Sequence, residues 1–207
     1  MKNMKKVLLV GAVALFGAVN AQVETPVEGF VKGDTFITGA IGYTSAKQNN
    51  FEESTFTVAP SVGHFVSPNI AVGARVGYTN GTMEDTFATV VVSEEVDAIT
   101  AGVFGRYYTT PASRFSLFGE LNVNYANAKY TDNNGITAAT ETKYNGFNFG
   151  IAPGVNYFIN KNFALEAAVG VLSYSTMKED VAGAEAVDTF NFGLNFTDVT
   201  LGLVYKF

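Results

Sequence analysis

The chain has 207 residues, 47% of them apolar, with 21 Gly, 18 Phe, 10 Tyr and a formal net charge of −6. Because it contains no cysteine, a disulfide framework, a thiolate metal site and a cysteine nucleophile are all excluded. Past the first turns of the chain no apolar run approaches the roughly 20 residues of a membrane-crossing helix, which excludes a helical membrane protein.

The first residues read as an export signal. Lys2, Lys5 and Lys6 make a cationic start, Val7 to Val19 an apolar run, and Val19-Asn20-Ala21 a small-residue end. This is the pattern of a signal peptide, 1–21, cleaved after Ala21. Residues 22–32, with Pro26, form a periplasmic lead-in, and residues 33–207 are expected to make one domain.

From Asp34 onward the sequence alternates apolar with polar or small residues in eight segments. They run approximately Asp34 to Ser45, Ser54 to Val66, Ile70 to Asn80, Val96 to Tyr108, Phe115 to Ala128, Tyr144 to Ile159, Phe163 to Ser175, and Phe192 to Phe207. Each reaches the roughly 9 to 11 residues that a tilted transmembrane strand requires. Connections two, four and six are short and carry turn residues: Ser67-Pro68-Asn69, Thr109 to Arg114, and Asn160-Lys161-Asn162. The odd-numbered connections are longer and more polar. That alternation predicts an all-β fold: an eight-stranded antiparallel up-and-down transmembrane β-barrel, both mature termini on the short-turn side.

The strand faces support this. In the last segment Val199, Leu201, Leu203, Tyr205 and Phe207 share one side, and Asp198, Thr200, Gly202, Val204 and Lys206 the other. The same split recurs from Phe115 to Tyr125, from Phe147 to Tyr157 and from Phe163 to Val171. Alternation alone does not say which face points inward. The abundance of Gly and Ala on the less apolar face does, since small residues suit a cramped lumen and water-facing strands carry more Lys, Glu and Thr.

This pattern resembles the small outer-membrane barrel superfamily that includes the OmpA transmembrane domain, OmpX and the OprF-type barrel, over the whole chain after about Gly33. Its most specific element is Leu201-Gly202-Leu203-Val204-Tyr205-Lys206-Phe207. The alternating Leu203, Tyr205 and terminal Phe207 are similar to the signal read by the outer-membrane assembly machinery. The resemblance implies the outer membrane of a Gram-negative cell, contact with outer-membrane lipids and lipopolysaccharide, and a monomer. OmpA itself continues into a periplasmic peptidoglycan-binding domain, whereas this sequence stops at Phe207, so no cell-wall tether is expected.

The strand charges are few: Arg75, Arg106, Glu120, Glu166 and Asp198, with Lys206 at the periplasmic end, all on the face assigned inward. A charge on the lipid face near the midplane costs up to roughly 4 kcal/mol, so this phase agrees with the orientation. Opposite signs in a narrow lumen imply pairing. A structural salt-bridge network is preferred over an ion-selecting gate, because eight strands leave room for little beyond side chains. Inward Phe36, Phe65, Phe104, Phe118, Phe158 and Tyr174 add bulk.

By these boundaries the outer loops hold thirteen acids against four lysines. Such a rim repels polyanions, so no nucleic-acid partner is expected. It reads as a solvated surface, because no loop has the ordered acid spacing of a calcium loop, and no metal or cofactor is expected. His64, the single histidine, lies near the turn at Ser67-Pro68 on the outer face, an interfacial position that does not suit a general base. No enzymatic activity is expected. The function read from sequence is an integral outer-membrane barrel with a structural or surface-interaction role; the alternative is a narrow channel for small cationic or neutral solutes.

Overall fold

The computed structural model describes residues 29–87, 90–193 and 199–207. The expected signal peptide, most of the expected lead-in and Asp198 lie outside the described residues. Ten strands form: β1 Thr35–Gln48, β2 Phe51–Phe65, β3 Ile70–Phe87, β4 Val90–Tyr108, β5 Phe115–Asn133, β6 Thr140–Phe158, β7 Phe163–Val169, β8 Leu172–Glu179, β9 Ala186–Phe192 and β10 Val199–Lys206. All pairings are antiparallel, and β1 to β7 with β10 close into an eight-stranded ring because β5 pairs β6 and β1 pairs β10. In the ring's outer continuation β8 pairs β6, and β9 pairs β8. The seventh expected strand is thus split in two, and β9 forms mostly within the stretch expected as an outer connection.

The split in the seventh has a local cause. Gly154 stands opposite Ala168 but Ile151 stands opposite Leu172, so one extra residue sits between β7 and β8. Pro153 occupies the facing position on β6. It has no N–H to give to the ladder, and a bulge opposite it absorbs the gap. The bulge inverts the parity of the rest of that expected strand. Tyr174, expected inward, therefore stands opposite the outward Phe149 and is 42% exposed on the outer wall.

The short connections are built as the turn residues dictate. Ser67 Oγ accepts from Ile70 N at 3.0 Å, and Asn160 Oδ1 accepts from Asn162 N and Phe163 N, each at 2.9 Å. Both ends of the barrel chain, Thr35 and Lys206, lie at this same end, where Phe207 N donates to Thr35 O at 3.0 Å.

The other end departs from expectation. The segments around Lys47 to Glu53 and Gly81 to Glu95 are not long loops; they continue as ladders, with Gln48 opposite Phe51 and Thr86 opposite Val91. Asn49 takes a left-handed φ of 55°, the conformation a tight hairpin needs and Asn tolerates. At about 3.3 Å per residue β3 and β4 run roughly 60 Å. A bilayer crossing uses about 10 residues, so nearly half of that hairpin stands clear of the membrane. Its acids are carried on strands: Asn80 Nδ2 bridges Asp97 at 3.1 Å and Glu95 at 3.3 Å, and Tyr78 OH donates to Asp97 at 2.8 Å.

The outer wall shows Ile41, Ile99, Val103, Leu121, Leu165, Leu201 and Leu203 to the surroundings, while Phe36, Phe65, Phe104, Phe118, Phe158, Ala164 and Val204 are buried inside. Five of the six aromatics expected inward are there, and apolar side chains on the exposed face fit a lipid solvent.

Candidate functional site

Among the described residues, charge, polar groups and rings converge in the lumen. Alternation puts Arg75 on β3, Arg106 on β4, Glu120 on β5 and Glu166 on β7 inward, and the register sets them side by side, with Arg106 directly opposite Glu120. Glu120 accepts from Arg75 Nη2 at 2.6 Å through Oε1 and from Arg106 Nε at 2.7 Å through Oε2. Arg106 then donates to Glu166 with both terminal nitrogens, Nη1 to Oε2 at 2.7 Å and Nη2 to Oε1 at 3.0 Å. Two cations and two anions alternate across the barrel, so the network is neutral. The planar fork of arginine is what allows one side chain to serve two carboxylates at once.

Neutral groups finish the network. Thr38 Oγ1 donates to Glu166 Oε1 at 3.3 Å, Asn122 Nδ2 to Glu120 Oε1 at 3.0 Å, and Asn124 Nδ2 to Asn122 Oδ1 at 2.9 Å. Arg106 Nη1 also donates to Tyr108 OH at 3.2 Å. With its amide turned to donate, Asn156 reaches Glu166 Oε2 at 3.0 Å. Arg106 and Glu120 are each only 4% exposed. Burying such charges is tolerable only because each has hydrogen-bonding partners of opposite sign.

Rings stack on the guanidinium groups. Arg106 Cζ lies 4.4 Å from the Phe118 ring centroid and 5.0 Å from that of Phe104, and Arg75 Cζ lies 4.9 Å from Phe104. Cation–π contact is strongest where water is excluded, as it is here. Room for these rings comes from glycine across the ladder: Phe36 faces Gly63, Phe104 faces Gly73 and Phe118 faces Gly154. A Cβ at any of the three would come within 2.3 Å of the ring's Cζ. These three inward glycines are therefore sockets for aromatics.

Below the network, toward the short turns, Phe36, Phe65, Tyr108 and Phe158 close around a ring that sequence reasoning did not place, Phe30. It belongs to the lead-in, is fully buried, and sits 4.7 Å from Phe65 and 4.9 Å from Phe158. The lead-in is thus partly inside the barrel. Lys206 lies at the short-turn end and is 8% exposed, its ammonium 3.4 Å from Asp34 and 5.6 Å from the Phe158 ring.

The remaining candidates lie elsewhere. Leu203 and Tyr205 face outward on β10, and the Tyr205 ring meets Phe163 at 4.9 Å and Phe207 at 5.0 Å. His64 is on the outer wall, its Nδ1 3.0 Å from Thr35 Oγ1, far from the lumen charges. Asp198 falls outside the described residues, so the network as seen rests on the other four charges. Among the described residues no group of three or more His, Asp or Glu has the arrangement of a metal site.

Comparison with known proteins fits this architecture. The family model described as outer membrane protein beta-barrel domain matches residues 9–207. Among solved structures the chain is similar to OprG of Pseudomonas aeruginosa, at 16% identity and a TM-score of 0.55, over 87% of this chain and 99% of OprG. It is also similar to Ail, the attachment invasion locus protein of Yersinia pestis, at 13% identity and a TM-score of 0.47, over 86% of this chain and 100% of Ail. No curated protein matches the chain.

Proposed function

The chain belongs to the outer membrane protein beta-barrel domain family, and from that premise we propose that it is a closed, non-conducting barrel of the Gram-negative outer membrane whose role is structural and surface-interacting. One observation carries the reading. The lumen is crossed by the Arg75–Glu120–Arg106–Glu166 network and, beneath it, by the ring layer around Phe30, so two consecutive barriers lie between the outer end and the periplasmic end. A permeating ion would have to displace charge-assisted hydrogen bonds and then part five aromatic rings.

The barrel then serves as a rigid base, both mature termini periplasmic, that holds the hairpins β1–β2, β3–β4 and β5–β6 away from the membrane. Apart from Glu120 in the lumen, those hairpins carry nine of the 19 acidic residues, and they would be the surface that meets cations or partners outside the cell. Outer-membrane lipids and lipopolysaccharide would surround the wall; nucleic acid is repelled by the rim, and no enzymatic role is proposed. A single copy suffices for this, which sedimentation in detergent reads directly. Leu203, Tyr205 and Phe207 serve recognition by the assembly machinery: deletion of Phe207 should lower the surface level of folded protein severalfold, and an unchanged level would rule this out.

A narrow channel for small cationic or neutral solutes is the second reading. It draws on the outer half of the lumen, where Gly77, Gly102, Ala126 and Gly150 face inward and Arg75 Nε and Asn124 Oδ1 have no hydrogen-bond partner. Solute flux separates the two. Liposomes containing the folded protein should retain a trapped small sugar or potassium as well as protein-free liposomes do; leakage that scales with protein content would favour the channel.

A further inference from the structure

Among the described residues one join in the ring is sparsely laddered. Between β1 and β10 the ladder consists of Phe36 opposite Lys206 and Ile37 opposite Tyr205. On its other side β10 pairs β7 along its length, from Val199 opposite Val169 to Tyr205 opposite Phe163. β10 still runs beside β1 above Ile37, since a Cβ on Gly202 would lie 3.2 Å from Gly39 O. The strands are adjacent there with no ladder pairing among the described residues. In a bilayer, backbone groups outside a ladder are expensive, so the join needs support from elsewhere.

Residues 29–34 supply contacts to every side of the mouth at this join. Phe30 N donates to Pro111 O at 2.7 Å in the β4–β5 turn, and Gly33 N donates to Phe65 O at 2.9 Å at the end of β2. Lys206 on β10 donates to Gly29 O and pairs with Asp34. Asp34 in turn accepts from Val31 N at 2.8 Å, which fixes the segment's bend. Gly29 holds φ +146°, and a Cβ there would come within 2.4 Å of the Ala112 carbonyl carbon, so the segment fits only with glycine. The fully buried Phe30 ring anchors the whole segment between rings from β1, β2, β4 and β6.

We infer that residues 29–34 are a latch that holds the β1–β10 join closed at the periplasmic end. The latch ties Lys206, on the strand with the sparse ladder, to the turn and strand ends across the mouth. Removing it should loosen that join in particular and leave the fully laddered part of the wall unchanged.

Dipolar coupling between spin labels tests this in the full mature protein folded into lipid vesicles. The chain has no cysteine, so label pairs are introduced cleanly. Labels at Ile41→Cys and Leu203→Cys, both outward, report the join; labels at Val103→Cys and Val123→Cys, which are direct partners on β4 and β5, report the laddered wall. Phe30→Ala should weaken and broaden the coupling across the join severalfold with no change across β4–β5. Gly29→Ala, which leaves every ring in place but blocks the seat against Ala112, should do the same and serves if Phe30→Ala does not fold. Equal loosening of both label pairs would make Phe30 a general core residue, and unchanged coupling in both would remove the latch; either outcome overturns the proposal.

Discussion

Replacing Arg106 with methionine should destabilise the folded barrel by about 3–5 kcal/mol, the range seen when one partner of a buried ion pair is removed. The size follows from what is left behind. Glu120 and Glu166 are both held by Arg106, and Glu166 receives both of its charged hydrogen bonds from it. Without it two carboxylates face each other across a dry lumen, with Arg75 able to serve only Glu120. Methionine fills most of the space between Phe104 and Phe118, so packing loss is a small part of the effect. Denaturant unfolding in vesicles measures it, and adding Glu166→Gln to Arg106→Met should recover part of the loss because one unpaired anion is removed. A cost below 1 kcal/mol for Arg106→Met alone would mean that the lumen is wet enough to solvate the carboxylates.

The second large effect belongs to the outer wall. Leu121→Arg should cost about 2–4 kcal/mol, and Asn127→Arg on the same face of the same strand about 0–1 kcal/mol, because the cost of a lipid-facing cation falls from the midplane to the interface. Leu121 is 53% exposed and flanked by Gly105 and Ile151, well inside the apolar band. Asn127 lies beyond Tyr125, whose ring packs edge-on with Phe147 at 5.2 Å in the position of an interfacial girdle, and it faces another asparagine, Asn145. The comparison locates the outer membrane boundary between these two positions. Equal costs at both would place it elsewhere.

Much of this was legible in the sequence because a barrel repeats one rule. The period of two fixes which residues point inward; Arg75, Arg106 and Glu120 kept their phase because the ladders linking β2 to β6 run without a slipped register, and Glu166 kept its phase because it lies ahead of the bulge. What was not legible depends on the neighbouring strand. Tyr174 turned outward because Pro153, on β6, starves the ladder across from it; a proline inside an alternating segment was the available signal. The length of the β3–β4 hairpin was hidden because polar Thr, Glu and Asp residues read as loop, although each pairs across the ladder. Phe30 was hidden for another reason: a lone aromatic in the short stretch from Gly29 to Gly33 has no periodicity, and its burial is decided by four rings, three of them distant in sequence.

The geometry also explains why inward glycine and inward charge coexist. The glycines seat Phe36, Phe104 and Phe118, and those rings in turn cover the guanidinium groups that bind the carboxylates. The lumen is therefore filled around the network, and the count of small residues alone is a poor guide to conductance.

Single-channel recording of the purified, folded protein in a planar bilayer tests the closed lumen most directly, with insertion verified by heat-modifiable migration on gels. The account predicts a silent bilayer. Steady, cation-preferring openings that change when Glu120→Gln and Glu166→Gln are introduced would contradict it, and would make the network a selectivity gate.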